Sequence, residues 1–197
     1  PNGKIYTLIQ SPLLYPDKTT GENTRVHRLL EIDPATNAYR MFAYLNEGPI
    51  GSGSNQIRYR DWKTGDMAAI NDSTFLVIEA GARGTTDVKN IFMININGAT
   101  VITSGLYGGK TVEALVDSAG LAAQNIKAVK KTLFMDLLAN SWPAIYDKAE
   151  GLAIINDSTI AISNDNDYGQ ISPAENGIPT ATNIACHVVT YSLKGNN

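Results

Sequence analysis

The pentapeptide Ile-Asn-Asp-Ser-Thr occurs twice in this chain, at residues 70–74 and 155–159, and the identity sits in matching surroundings. "DMAAINDSTFLVIEAG" at 66–81 aligns without gaps on "GLAIINDSTIAISNDN" at 151–166, an offset of 85 residues. In each copy a short apolar run meets an Asn-Asp-Ser turn and a second apolar run follows. Asn and Asp tolerate turn conformations, so each copy is predicted to be a β-hairpin. A sequence that repeats a hairpin must repeat a sheet, and this restricts the chain to architectures built from recurring antiparallel units.

Other segments extend the unit. "KNIFMINI" and "ATVIT", joined by Asn97-Gly98, read as a second hairpin after the first copy, completing a four-stranded sheet over 66–103. "KIYTLIQSPLL", "TRVHRLLEID" and "NAYRMFAYL" read as second, third and fourth strands of an earlier sheet, with 33–37 as a turn. "CHVVTYSL" reads as the third strand of a later one. The expected fold class is therefore all-β, a partial β-propeller of four-stranded antiparallel blades. The offset equals about two blade lengths, or one blade plus an insertion. The second is preferred, with the insertion at 105–149, because no further Asp-Ser-Thr hairpin lies there. Within it, "TVEALVDSAGLAAQ" and "LFMDLLAN" have helix-like apolar spacing, while "VKKTLFMDL" also fits a strand.

With 197 residues, 43% of them hydrophobic and 18% charged, the chain has enough apolar surface for a single domain. A net charge of −3 disfavours nucleic acid as a partner, and no run reaches the roughly 20 apolar residues of a membrane span. The first residue is Pro1, which reads as a processed product or a fragment. Lone Cys186 leaves no internal disulfide and is expected in the core.

"RYRDWKTGDMAAINDSTFLVIEAGARGT", "KNIFMININGAT" and "DKAEGLAIINDSTIAISNDNDYG" resemble the C-terminal half of the phytase-like domain known as the esterase-like activity of phytase family. The shared pattern is an acidic-Gly or Gly-acidic pair opening a strand, a polar turn, an apolar strand and an acidic end. By motif order the resemblance covers residues 4–194. It implies a secreted or periplasmic propeller that hydrolyses phosphomonoesters or esters. It also implies opening blades beyond those seen here, so that a missing N-terminal portion or another copy of the chain becomes an expected partner through unpaired sheet edges.

Hairpin geometry brings the start of the first strand of each blade beside the end of the second. Glu150 is thus expected near Asn164, Asp165 and Asp167, and Asp66 near Glu79, on a channel rim opposite the Asn-Asp-Ser turns. Glu150 and Asp66 are the catalytic candidates. Asp165, Glu79, Asn164 and Asp167 are the candidate ligands of a divalent cation, Ca²⁺ favoured, because carboxylates and amide carbonyls are hard oxygen donors. Arg25, Arg60 and Arg83, with Arg58, are candidate clamps for the phosphate of a small-molecule substrate. A non-catalytic propeller that binds a ligand or protein on this rim is the alternative.

Other motifs carry less. "SGLYGGKT" at 104–111 lacks the opening Gly of a phosphate-binding loop, and the run from Asn164 to Glu175 lacks the helices of an EF-hand. His27 and His187, both expected inside strands, leave no Ser-His-Asp arrangement.

Overall fold

The computed structural model describes residues 2–171 and 180–193. Its architecture is all-β, with antiparallel sheets and two short helices, Lys18–Glu22 (α1) and Ser118–Ala123 (α2), among the described residues. No helix among them is long and apolar enough to cross a membrane.

Three main sheets follow one another along the chain. The first contains β1 (Ile5–Leu8), β2 (Val26–Asp33) and β3 (Ala38–Leu45). The second is four-stranded and in sequence order: β4 (Trp62–Ala69), β5 (Thr74–Arg83), β6 (Thr86–Asn95) and β7 (Lys130–Asp136). The third contains β8 (Lys148–Asn156), β9 (Thr159–Asp165) and, after the small pair β10 (Gln170–Ile171) and β11 (Thr180–Ala181), β12 (Val188–Ser192). Both repeated hairpins form as read. In each turn the Asn side chain makes the turn itself: Oδ1 of Asn71 accepts from Ser73 N at 3.0 Å, and Oδ1 of Asn156 from Ser158 N at 2.9 Å.

Strand alternation explains the stacking. Phe75 and Val77 point to one face of the second sheet and pack with Leu29, Phe42 and Tyr44 of the first. Leu76 and Ile78 point to the other face and pack with Leu152, Ile160 and Ile162 of the third. The middle sheet is therefore apolar on both sides, and "FLVI" is a continuous run for that reason.

The assignment of 99–103 as the fourth strand is corrected. Ile102 makes only an isolated bridge to Met41, and the fourth place in the sheet is taken by β7, which the run "VKKTLFMDL" had also fitted. The insertion accordingly lies between β6 and β7, earlier than 105–149. It leaves the second sheet at the Asn97-Gly98 turn and crosses the far face of the first. There Val112, Leu115, Leu121 and Ile126 pack on Val26, Met41 and Ala43. Ile102 N and Val129 N donate to Met41 O and Ala43 O, so the free edge of β3 is partly covered as well. The helix-like spacing of "TVEALVDSAGLAAQ" is realised as two short pieces, a 3-10 turn at Glu113–Leu115 and α2, capped by Asp117.

Two further expectations change. Cys186 is exposed rather than in the core, because the segment 182–187 runs outside the sheet. His187 stands one residue before β12 and is also exposed.

β4 and β8, the first strands of their sheets, lie against each other. Gly65 permits it: a Cβ there would stand 2.9 Å from Ala149 O and 3.2 Å from Glu150 Cα. Since the obstruction is backbone, Gly65→Val is expected to push the sheets apart and destabilise the fold by about 1–3 kcal/mol, measured by chemical denaturation.

Candidate functional site

The acidic-Gly pairs sit at β-bulges. The β4–β5 register shifts between Thr64 and Met67, where Gly65-Asp66 intervenes, and the β8–β9 register shifts between Ala149 and Gly151, where Glu150 intervenes. A bulge re-aims its side chain away from the regular alternation. The two acids are nevertheless used differently.

Glu150 lines a cleft of about 220 Å³ between the second and third sheets, at the end opposite the Asn-Asp-Ser turns. Lys63, Lys89, Lys148, Asp61 and Asp147 share the lining. The hollow exists because Ala80, Gly81 and Ala82, the run "AGA" at the end of β5, contribute almost no side chain to it. Glu150 is half-buried, and its carboxylate makes no hydrogen bond or ion pair among the described residues. Burial pushes its pKa above the ordinary value, and the negative charge of Asp165 adds to the shift.

Asp66 lies outside this cleft. Its Oδ2 accepts from Leu152 N at 2.8 Å and its Oδ1 from Met67 N at 2.7 Å, so it ties β4 to β8. It does not meet Glu79, because the two serve different faces of the second sheet. Glu79 is fully buried towards the first, where it accepts from Tyr44 Oη, from Glu47 N at 2.8 Å and from Lys131 Nζ at 2.6 Å. Burial raises its pKa against the opposing pull of Lys131.

The "NDND" run behaves as a clasp. Asn164 Oδ1 accepts from His187 N at 2.6 Å while its Nδ2 donates to Ala185 O, and Asn166 Nδ2 donates to Ile184 O at 2.9 Å. These bonds hold the 184–187 segment to the end of β9. Asp165 and Asp167 are paired with Lys148 at 3.2 and 2.6 Å. The amide of Asp167 and the Lys148 ammonium hold Asp165 below its usual range, and Lys148 is raised chiefly by its bond to Asp167. Glu150 is thus near Asp165 and Asp167, as hairpin geometry required, but a lysine occupies the oxygens between them.

The proposed cation ligands accordingly do not fit one ion. Asn164 spends both ends of its amide on backbone, Asp165 and Asp167 hold Lys148, and Glu79 faces another interface. Among the described residues no group of three or more His, Cys, Asp or Glu is arranged to hold a metal.

The arginines are also committed elsewhere. Arg25 donates to Asn46 O at 2.7 Å, Arg60 pairs with Glu22 at 2.9 Å, Arg58 with Asp61 at 2.7 Å, and Arg83 donates to Gln56 O at 3.2 Å. None of the four lines the cleft; the lysines do. Lys89, flanked in sequence by Val88 and Asn90 in an apolar strand, was missed, although the same-face pair Asp87/Lys89 is visible in "TDVKN" as an i, i+2 charge pair. Residues 104–110 form a largely exposed turn with a Tyr107–Lys110 bridge, leading to buried Thr111, and among the described residues no strand leads into it as a phosphate loop requires. The EF-hand-like run extends past residue 171, outside the described residues.

His27 is buried and neutral. Its Nδ1 donates to Ile9 O at 3.1 Å, and its Nε2 accepts from Asn46 Nδ2 at 3.2 Å. Burial pushes its pKa down to about 4. The unfolded chain takes up this proton near pH 6.5, so the His27 contribution is complete above that pH and is lost as pH falls towards 4. About 3 kcal/mol of stability is expected to disappear over that interval. The raised pKa of Glu79 works in the opposite sense, because the fold takes up that proton first. Comparing urea midpoints of wild type and His27→Gln at pH 7 and pH 4.5 isolates the histidine: the variant is expected to lose less stability on acidification.

The chain is an all-β protein, a stack of antiparallel sheets with a charged, half-open cleft at the strand ends. The chain belongs to the phytase-like family described as esterase-like activity of phytase, whose family model matches residues 1–168. No curated protein and no solved structure matches it. Membership points to a hydrolase of phosphate or ester substrates.

Proposed function

We propose that the chain carries part or all of a hydrolase for phosphomonoesters or related esters, with the cleft between the second and third sheets as its reaction site and Glu150 as the proton-transferring group. The observation behind this reading is the Glu150 carboxylate: half-buried, raised in pKa, without a hydrogen-bond or ion-pair partner among the described residues, and facing a hollow edged by three lysines and three aspartates. General acid–base catalysis needs a group whose pKa has moved towards the working pH and whose oxygens are free. A lysine ammonium beside such a group offsets the charge that develops on the oxygens of an ester undergoing hydrolysis. No step is assigned to a cation, since the oxygens first read as ligands already hold protein partners.

The β-propeller arrangement is part of the same proposal. It is supported by the repeated sheets, by their face-to-face stacking and by the contact of β4 with β8, the strands nearest a common axis in that geometry. On the outward face of the third sheet, Ile155 and Val188 are exposed. There a further sheet, from the same chain or another copy, would continue the stack. A secreted or periplasmic location belongs with the same family reading.

The test is release of inorganic phosphate from simple alkyl phosphomonoesters, and of p-nitrophenol from its phosphate and acetate esters, with and without chelator. Turnover that survives the chelator is the expected result. Turnover that vanishes with it and returns with Ca²⁺ would replace the lysine-based reading, and absence of turnover on every ester would leave a binding protein.

A further inference from the structure

Lys89 differs from the other lysines of the cleft. Its side chain is only 4% exposed, yet it lines the hollow. Alternation on β6 places Asp87 and Lys89 on one face, opposite Ala82 and Ala80 of β5. The two alanines leave room for the lysine stem to lie against the sheet, which fixes the ammonium at the wall. Its ion-pair partner is Asp87 Oδ2 at 2.5 Å, and Asp87 is a lining residue of the same cleft with its side chain 42% exposed. The pair is unequal: one charge is captive in the wall, and the other stands half in solvent at the strand end.

We propose that Lys89 is the anion anchor of the cleft and that the Asp87 carboxylate is an internal stand-in for the substrate's oxyanion, displaced when an anionic ester binds. This rests on the reading of the cleft as a hydrolase site and adds how that site selects its ligand. A buried ammonium requires a counter-charge at all times, because leaving it unpaired is costly. Asp87 supplies that charge in the empty cleft. A phosphate oxygen supplies it in the complex, and the exposed carboxylate returns to water at little cost. The exchange makes binding selective: a neutral ester cannot replace Asp87, whereas an anionic one can. It also sets a ceiling on affinity, since every ligand must first displace the resident carboxylate.

Binding of inorganic phosphate by isothermal calorimetry tests this without requiring turnover. Asp87→Asn, a nearly isosteric change at an exposed site, is expected to tighten phosphate binding by about tenfold, the effect of one charge-assisted contact no longer competed for. Lys89→Met, which preserves the stem and removes the charge, is expected to bind no phosphate while retaining the wild-type circular dichroism spectrum. Equal or weaker phosphate binding by Asp87→Asn overturns the inference, as does undiminished binding by Lys89→Met. Tighter phosphate binding by Asp87→Asn in a protein that hydrolyses no ester would overturn the functional reading alone. Hydrolysis with phosphate affinity unchanged in Asp87→Asn would overturn the anchor alone.

Discussion

Replacing Glu150 by Gln is expected to lower kcat for phosphomonoester hydrolysis by about a hundred- to ten-thousand-fold, the usual range for loss of a positioned acid–base group. The substitution keeps the shape of the side chain and removes its ability to exchange a proton. Glu150 contributes no hydrogen bond among the described residues, so thermal stability should change by less than about 1 kcal/mol. The raised pKa adds a second signature. Burial and the Asp165 charge both disfavour the ionised form, so the limb of the pH–rate profile that reports Glu150 should lie above the ordinary carboxylate range. Asp165→Asn removes one of the causes and should move that limb downward. Asp157→Ala, in the exposed turn at the other end of the same hairpin, is the control. It should retain activity with at most about 1 kcal/mol of lost turn stability. Equal behaviour of the Glu150 and Asp157 variants would show that the cleft carboxylate plays no chemical part.

The largest stability effect is expected far from the cleft. Arg28 crosses the outer face of the first sheet to pair with Glu113 of the insertion at 2.7 Å, with Glu113 fully buried and Arg28 nearly so. Oε2 of Glu113 has no hydrogen-bond partner among the described residues, so the pair is held by one carboxylate oxygen inside an apolar layer formed by Val26, Met41, Val112 and Leu121. Removing one partner strands the other. Glu113→Ala and Arg28→Ala are each expected to cost about 3–5 kcal/mol, measured by urea denaturation. The double replacement Arg28→Met/Glu113→Leu should recover most of the loss, because it removes both desolvation penalties and fills the same layer. Hydrogen exchange locates the event: in Glu113→Ala the amides of Ile102 and Val129, which bond to β3, should lose protection before those of β5. Uniform loss of protection across all three sheets would mean that the insertion is not a separately opening unit.

The hairpins, the all-β class and the approach of Glu150 to Asp165 and Asp167 were determined by local chemistry. Asn71 and Asn156 close their own turns, alternation decides which side chains share a face, and antiparallel pairing brings the start of one strand to the end of the next whatever the rest of the chain does. The resemblance carried by the acidic-Gly pairs was equally legible, since those pairs are the bulges of the first strands and a bulge is a property of a few consecutive residues. Tertiary structure decided everything that depends on distant partners. The fourth strand of the second sheet comes from residues 130–136 rather than 99–103, because Ile102 finds β3 across the first sheet and the insertion must bury its apolar side somewhere. Whether a carboxylate is free or spent was likewise invisible. Asp66 and Glu150 occupy similar bulges, yet Asp66 is taken by the backbone of Leu152 and Glu79 by Tyr44, Glu47 and Lys131. Only Glu150 among these acids faces an open cleft. The reason is physical: residue type and spacing set what a side chain can bond to, while its actual partner is chosen by the sheet that packs against it.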